Sequence, residues 1–334
     1  MKPLSPIGML YGGITAARNA LYNSGRLRSH DLGARTISIG NITTGGTGKT
    51  PLVALVSELL AENGERVCIL TRGYGRANAA ERVVVSDSET VLADAATGGD
   101  EPVELAERLL GKAVIIADRD RVAAAKFALQ EFSPTVFVLD DGFQHRRAKR
   151  DVDIVCIDAT NPFGNGEVIP AGPLRESLHN LKRAHAFVIT RTEQADNTTE
   201  ITAILNKHAP SAPVFYARTA IERIKPFHGT AASENLQYFA FCGIGNPGNF
   251  FRSLELNGID IRGDRAFRDH SSYTVATIKE LEAEAAKANA NALITTAKDA
   301  VKLGKMAFSL PCMVAEIRLD VSPEPEFRSL ILNG

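Results

Sequence analysis

Tryptophan is absent from the 334 residues, and that absence carries no functional information. The other scarcities say more. Only four cysteines occur, Cys68, Cys156, Cys242 and Cys312, far apart and three of them within apolar runs. There is no C-x-x-C pair and no Cys/His cluster, which argues against zinc and fits a reduced, cytosolic compartment. No stretch reaches the ~18 apolar residues of a membrane span, and residues 1–11 lack the long apolar core of a signal peptide. Net charge is nearly missing: 38 Lys+Arg against 39 Asp+Glu leaves −1, which argues against nucleic-acid binding through global positive charge. Internal repeats and low-complexity segments are lacking as well.

What is present reads as a globular chain, with 44% hydrophobic and 23% charged residues, enough to bury a sizeable core in one large domain or two medium ones. Short β-branched runs at 36–40, 66–70, 82–86, 114–117, 135–140, 153–158 and 186–190 alternate with helical patterns. Runs apolar throughout are what parallel strands buried on both faces look like. Residues 51–63 carry Leu52, Leu55, Val56, Leu59 and Leu60 on one stripe, with Pro51 in the first turn and Gly64 past the end. The β-α-β-α rhythm predicts a doubly wound α/β fold with ligands at the carboxyl ends of its strands. After about Pro213 the rhythm restarts: extended residues 214–224, strand 237–243, helices 247–257 and 274–288, strand 292–296, extended residues 313–321. The expected organisation is a nucleotide-binding domain over 1–213, a two-stranded β-ribbon of 214–224 with 313–321, a smaller α/β domain over 225–312 and a C-terminal helix over 322–334.

The segment Gly45-Gly46-Thr47-Gly48-Lys49-Thr50 follows a strand and opens a helix, the context of a phosphate-binding loop. Backbone N–H groups of such a loop turn toward phosphates, Lys49 reaches the β/γ-phosphates, and Thr50 can ligate magnesium. Thr43 and Thr44 belong to the same loop. The strict G-x-x-x-x-G-K-[ST] pattern fails because Thr43 stands at its first glycine. The loop is similar to the deviant loops of partition-type ATPases, whose extra lysine would fall at Thr44; an ATPase switch without a phosphoryl acceptor is therefore the rival reading. The apolar run 136–139 ending in Asp140-Asp141 is where such proteins place the magnesium carboxylate. Asp140 is the expected metal ligand, and Asp141 either shares the ion or orients a catalytic group.

Further motifs carry a resemblance to one family. Residues 40–51, Thr71-Arg72-Gly73-Tyr74-Gly75-Arg76, Gly99-Asp100-Glu101-Pro102, Ala117-Asp118-Arg119, Leu139-Asp140-Asp141-Gly142-Phe143-Gln144-His145-Arg146, Gly172-Pro173-Leu174-Arg175-Glu176, Gly243-Ile244-Gly245-Asn246-Pro247, Asp269-His270 with Tyr273, and Thr296-Ala297-Lys298-Asp299 follow one another in order. Together they resemble the tetraacyldisaccharide 4'-kinases of lipid A synthesis, over essentially the whole chain. The resemblance implies two α/β/α domains joined by a β-ribbon. It also implies an ATP- and Mg²⁺-dependent transfer to the 4'-hydroxyl of a tetraacylated glucosamine disaccharide 1-phosphate.

That chemistry needs a base, cations for the phosphoryl group and a surface for acyl chains. The resemblance makes Asp100 the base, an exposed carboxylate in a turn, with His270 as its partner from the smaller domain. Without the resemblance, Asp100 reads as the cap of a helix beginning at Pro102, and His270 as a turn residue. Asp141 joins the catalytic set. Gln144 and His145 follow the metal carboxylates and can face the sugar. Arg72, Arg119 and Arg175 suit phosphate groups, because a guanidinium matches phosphate oxygens bidentately; each equally suits a surface ion pair. Asn41, Tyr74, Glu101 and Glu176, members of the matching motifs, complete the expected substrate-binding set. Gly243 and Gly245 suit a tight strand-to-helix turn.

Residues 1–35 carry Lys2, Arg18, Arg26, Arg28 and Arg35 against one acid, Asp31, and Leu10, Ile14, Ala17 and Leu21 fall on one helical face. Such a helix lies in an anionic membrane surface or packs on its own domain. A lipid substrate favours the membrane, and with it a peripheral place on the cytoplasmic face of the inner membrane.

Overall fold

The uninterrupted apolar runs form strands buried on both faces, as their composition requires. The computed structural model describes residues 6–227 and 235–334; Lys2 lies outside them. Among the described residues, one sheet contains β1 (Arg35–Asn41), β2 (Val67–Thr71), β3 (Val83–Ser86), β4 (Ala113–Ala117), β5 (Val136–Asp140), β6 (Val152–Asp158), β7 (Ala186–Thr190), β8 (Val214–Pro226), β9 (Tyr238–Cys242), β10 (Ile261–Ala266), β11 (Ala292–Thr296) and β12 (Cys312–Ser322). Their order is β10-β9-β11-β12-β8-β7-β6-β1-β5-β2-β4-β3. The helices are α1 (Pro6–Asn23), α2 (Lys49–Glu62), α3 (Ala95–Gly98), α4 (Asp100–Arg108), α5 (Arg121–Glu131), α6 (Thr198–His208), α7 (Pro247–Leu256), α8 (Val275–Lys287), α9 (Ala297–Leu303) and α10 (Glu324–Asn333).

Pairing is parallel except at two places, β3 on β4 and β12 on β8. The two long segments expected to be extended are thus an antiparallel pair. They are no free ribbon, because β8 also pairs with β7 and β12 with β11, making the sheet continuous. Helices cover both faces. Leu52, Val56 and Leu60 of α2 pack on Ile37, Ile69 and Val138, while Val122, Ala125 and Ala128 of α5 pack on Leu70, Phe137 and Leu139 from the other side. The second half repeats the plan, with Ile278 and Leu281 of α8 on Phe239 and Phe241, and Phe250 and Leu254 of α7 on Ala240 and Ile294. Helix α10 returns to the first half, where Phe327 and Ile331 join the α2 core. Arg35 donates to the carbonyls of Ile331, Leu332 and Gly334, satisfying the end of that helix.

Two expectations need correction. Strand β10 was not anticipated: it is an edge strand of charged composition whose Arg262 and Asp264 face outward, so it lacks the apolar run that marks the inner strands. The helix expected from Pro102 starts at Asp100. Gly99, at φ 93°, occupies the N-cap, so Asp100 is no cap but a first-turn residue.

Strand β1 lies between β5 and β6, where the winding of the sheet changes direction. The loops after β1 and β5 meet there, the usual ligand crevice of such sheets. Gly40 makes that meeting possible: a Cβ on it would lie 2.5 Å from the Phe143 amide nitrogen and 2.6 Å from Phe143 Cβ. Gly40→Ala should therefore cost about 1–3 kcal/mol, the usual penalty of overpacking, read as a lowered urea midpoint. Gly248→Ala, which meets nothing within 4 Å, should leave the midpoint unchanged or raised.

Candidate active site

The loop 42–48 is held from below and behind. Asn41, fully buried at the end of β1, donates from Nδ2 to Thr47 Oγ1 at 3.0 Å. Thr190 Oγ1 donates to the Thr47 carbonyl at 2.9 Å, the Thr44 amide to the Pro173 carbonyl at 2.7 Å, and Arg191 to the Gly46 carbonyl at 2.9 Å. Gly45 and Gly48 adopt φ of 102° and 81°, a region that L side chains avoid. The chain then enters α2, bringing Lys49 and Thr50 into its first turn.

Opposite stands the end of β5. Asp140 is buried, and its Oδ2 accepts a hydrogen bond from Thr71 Oγ1 at 2.9 Å. Burial, with the charges of Glu101 and Asp141, pushes its pKa up to about 6 against the pull of Lys49 and Thr71. Asp141 goes the other way. Burial raises it, but Lys49 at 3.5 Å and Arg175, whose Nη1 is 2.7 Å from both oxygens, bring it down to about 2. Thr50, Asp140 and Asp141 offer hard oxygen donors in one place, and Asp140 Oδ1 accepts no hydrogen bond from the described residues. This donor set fits Mg²⁺.

Around these groups lies one cleft of about 1170 Å³, reaching from the phosphate loop to the second half of the chain. Arg72, Tyr74, Glu101, Arg119, Gln144, His145 and Arg175 border it, as expected. Burial, with Arg121 and Arg150, lowers His145 to about 4, so its ring is neutral near pH 7. Glu176 borders the cleft too, although almost wholly buried, and Asn41 lies behind it. Asn41 supports the loop rather than facing the cleft. Glu176 is 1% exposed and serves as a hub, bound by Arg183 at 2.9 Å, Asn19 at 2.8 Å and Gln144 at 3.1 Å. Burial of this kind is invisible in a local motif.

Asp100 and His270 do meet: His270 Nδ1 is 2.8 Å from Asp100 Oδ2, across 170 residues of sequence. The exposed carboxylate expected at Asp100 is, however, 5% exposed. Gly99 turns the chain so that Asp100 points into the junction, where His270 and Lys298 cover it. His270 faces the cleft, its φ of 59° holding a non-glycine residue in the left-handed region and the Tyr74 ring 5.3 Å away. Burial raises Asp100, but the His270 hydrogen bond and Lys298 outweigh it and hold the carboxyl below its ordinary value. The same hydrogen bond raises His270 against burial and Lys298. Lys298, Asp269 and Arg191 also border the cleft; the first two stand in motifs noted in the sequence without a role assigned to them, and nothing in the local sequence of Arg191 separates it from a surface charge.

The whole chain, residues 1–334, matches the family described as tetraacyldisaccharide-1-P 4'-kinase. A tetraacyldisaccharide 4'-kinase of Desulfotalea psychrophila is 38% identical over 98% of this chain and 94% of its own length. One from Geobacter metallireducens is 39% identical over 94% and 92% respectively. Among solved structures, LpxK from Aquifex aeolicus in complex with ATP is 29% identical, with a TM-score of 0.76 over 98% of this chain and 96% of that one.

The opposed shifts of Asp100 and His270 make their contact a pH-dependent contribution to stability. The raised His270 contributes stability in full below its ordinary value of 6.5 and loses it as pH rises through the folded value; the lowered Asp100 contributes in full above its ordinary value of 3.8 and loses it as pH falls through its folded value. His270→Gln should therefore lower the urea midpoint more at pH 6 than at pH 9. An equal loss at both values contradicts the pairing.

Proposed function

The chain belongs to the tetraacyldisaccharide-1-P 4'-kinase family, and from that premise we propose that it transfers the γ-phosphate of ATP to the 4'-hydroxyl of a tetraacylated disaccharide 1-phosphate, a step of lipid A synthesis. One observation supports this reading most: the phosphate loop and His270, with Asp100 bound behind it, share one cleft. A nucleotide switch needs the first and has no use for the second.

In the proposed site, backbone N–H groups of residues 43–48 surround the phosphates and Lys49 follows the migrating group. Thr50, Asp140 and Asp141 would hold Mg²⁺, which when bound neutralises phosphate charge. Arg175 keeps Asp141 ionised and oriented. The base is the Asp100–His270 pair, Asp100 supplying charge and His270 facing the acceptor. In a loose phosphoryl-transfer transition state the hydroxyl proton leaves late, so the pair, with Asp100 ionised behind His270, suffices to orient and then receive it. Arg72, Arg119, Gln144, His145, Tyr74 and Glu101 are assigned to the disaccharide and its phosphate, with Asn41 and Glu176 as supports behind them. The two halves are proposed as lobes, 1–213 and 225–312, that close on each other by flexing the β8–β12 pair.

Helix α1 is assigned to the membrane surface. Its polar side is spent on docking: Arg18 donates to the Gln144 carbonyl, Asn19 to Glu176, and Arg146 to the Asn19 carbonyl. Ile7, Met9, Leu10 and Ile14 are left 59–66% exposed. Among the described residues no helix is long and apolar enough to cross a membrane. The exposed apolar side supports peripheral attachment, which we assign to the cytoplasmic face of the inner membrane, with the acyl chains left in the bilayer.

ADP release measured with and without the lipid acceptor tests the function: release should require the acceptor, and equal release without it would favour the switch. Asp100→Ala and His270→Ala should each lower kcat by ~10²–10⁴-fold, and the double variant should be little worse than either; fully multiplicative losses would refute the pair. Replacing Ile7, Leu10 and Ile14 together with serine should weaken vesicle binding by more than ~10-fold, since each buried methylene is worth about 0.8 kcal/mol. The thermal midpoint should not fall, because these side chains are already in water.

A further inference from the structure

The first turn of α9 presents two neighbouring residues with opposite tasks. Asp299, fully buried, accepts both bonds of the Gly243 amide at 3.0 Å, the Tyr273 hydroxyl at 2.8 Å and Thr296 Oγ1. It pairs with Lys302 at 2.7 Å. These contacts fix the backbone of α9. Lys298 leaves that fixed backbone in another direction, toward the cleft. Its ammonium is 2.9 Å from Glu101, 3.2 Å from Asp269 and 3.8 Å from Asp100, and the residue is 9% exposed.

A buried cation in the first turn of a helix is badly placed by itself: burial removes its hydration, and the helix N-terminus is already positive. Only the three carboxylates offset this. Burial works against the ammonium, yet Glu101 and Asp100 hold its pKa above the ordinary value. Those partners come from both sides of the cleft. Asp100 and Glu101 open α4 in the first half, whereas Asp269 precedes His270 in the second. Without Lys298 the carboxylates would face one another beside His270, with Lys302 farther off and paired to Asp299, and His270 would have to charge to hold them together.

We propose that Lys298 is a positioning residue for the transfer: its ammonium ties Glu101 and Asp100 of α4 to Asp269 of the segment bearing His270, and thereby sets the Asp100–His270 pair against the acceptor. The proposal rests on the kinase reading above. The groups facing the pair are Glu101 and Asp100 on α4, Asp269 beside His270, Lys298 and the more distant Lys302 on α9, and the ring of Tyr74; Glu104 lies near Lys298. Lys298 opposes protonation of both members of the pair. Removing its charge therefore raises both, and the acid limb of the kcat/KM profile moves to higher pH, because Asp100 must be ionised to work.

The test compares Lys298→Met with Lys298→Arg. The methionine variant should lose roughly 10²-fold in kcat, the cost of a misplaced catalytic group, with the KM for ATP little changed and the acid limb shifted up. NMR titration of the His270 imidazole in the free enzyme should shift up in the same variant. Lys298→Arg should restore the wild-type titration and most of the rate. Should the methionine variant fail to fold, Lys298→Gln takes its place. A folded charge-removed variant with unshifted His270 titration and an unshifted acid limb would overturn the proposal, as would an arginine variant equally defective. The titration needs no substrate, so it stands even if the wild-type enzyme consumes no ATP with the lipid acceptor, the result that sinks the kinase reading instead.

Discussion

Five carboxylates, those of Asp100, Glu101, Asp140, Asp141 and Asp269, gather at the junction where a polyanionic nucleotide has to bind. The rest of the site is arranged around that repulsion. Asp141 is held ionised by Lys49 and Arg175, and Asp100 by His270 and Lys298. Asp140 lacks such compensation, and its pKa rises to about 6. The contrast between two adjacent aspartates is informative: the one with cations at hand stays ionised, and the one without them gains most from a divalent ion beside it. Phosphoryl transfer asks little covalent chemistry of a protein and much placement of charge, which is what these residues supply.

Placement depends in turn on the sheet. Strands β1 and β5 deliver the phosphate loop and the aspartates side by side because Gly40 lets β1 pass against the turn at Phe143. The second half enters through β8 and β12, whose pairing continues the sheet and brings α9 against α4 at the edge of the cleft. His270 and Lys298 reach the site from there, so the contacts of Asp100 are complete only where both halves meet. Helix α1 closes one wall and turns its apolar side outward, which places an exposed apolar surface beside the cleft that Arg18 and Tyr11 border.

Much of this was legible in the residues themselves. Strand, glycine loop, Lys49, Thr50 and the α2 stripe are contiguous, and each signal has a local physical cause. The inner strands were read almost to the residue because burial on both faces demands unbroken apolar runs. The Asp100–His270 contact spans 170 residues and emerged only through the family resemblance. The burial of Asp100, Asn41 and Glu176 was not legible, since it depends on what packs above them. Lys298 belongs to a motif noted in the sequence, yet its three carboxylate partners come from two distant segments. Strand β10 escaped because an edge strand needs no apolar run.

The most direct test is to locate the transferred phosphate. Product formed from ATP and a tetraacylated disaccharide 1-phosphate, analysed by phosphorus–proton correlation NMR, should show a second phosphate coupled to the proton at the 4' carbon. A phosphate coupled to any other sugar position, or recovered only as inorganic phosphate, would contradict the account.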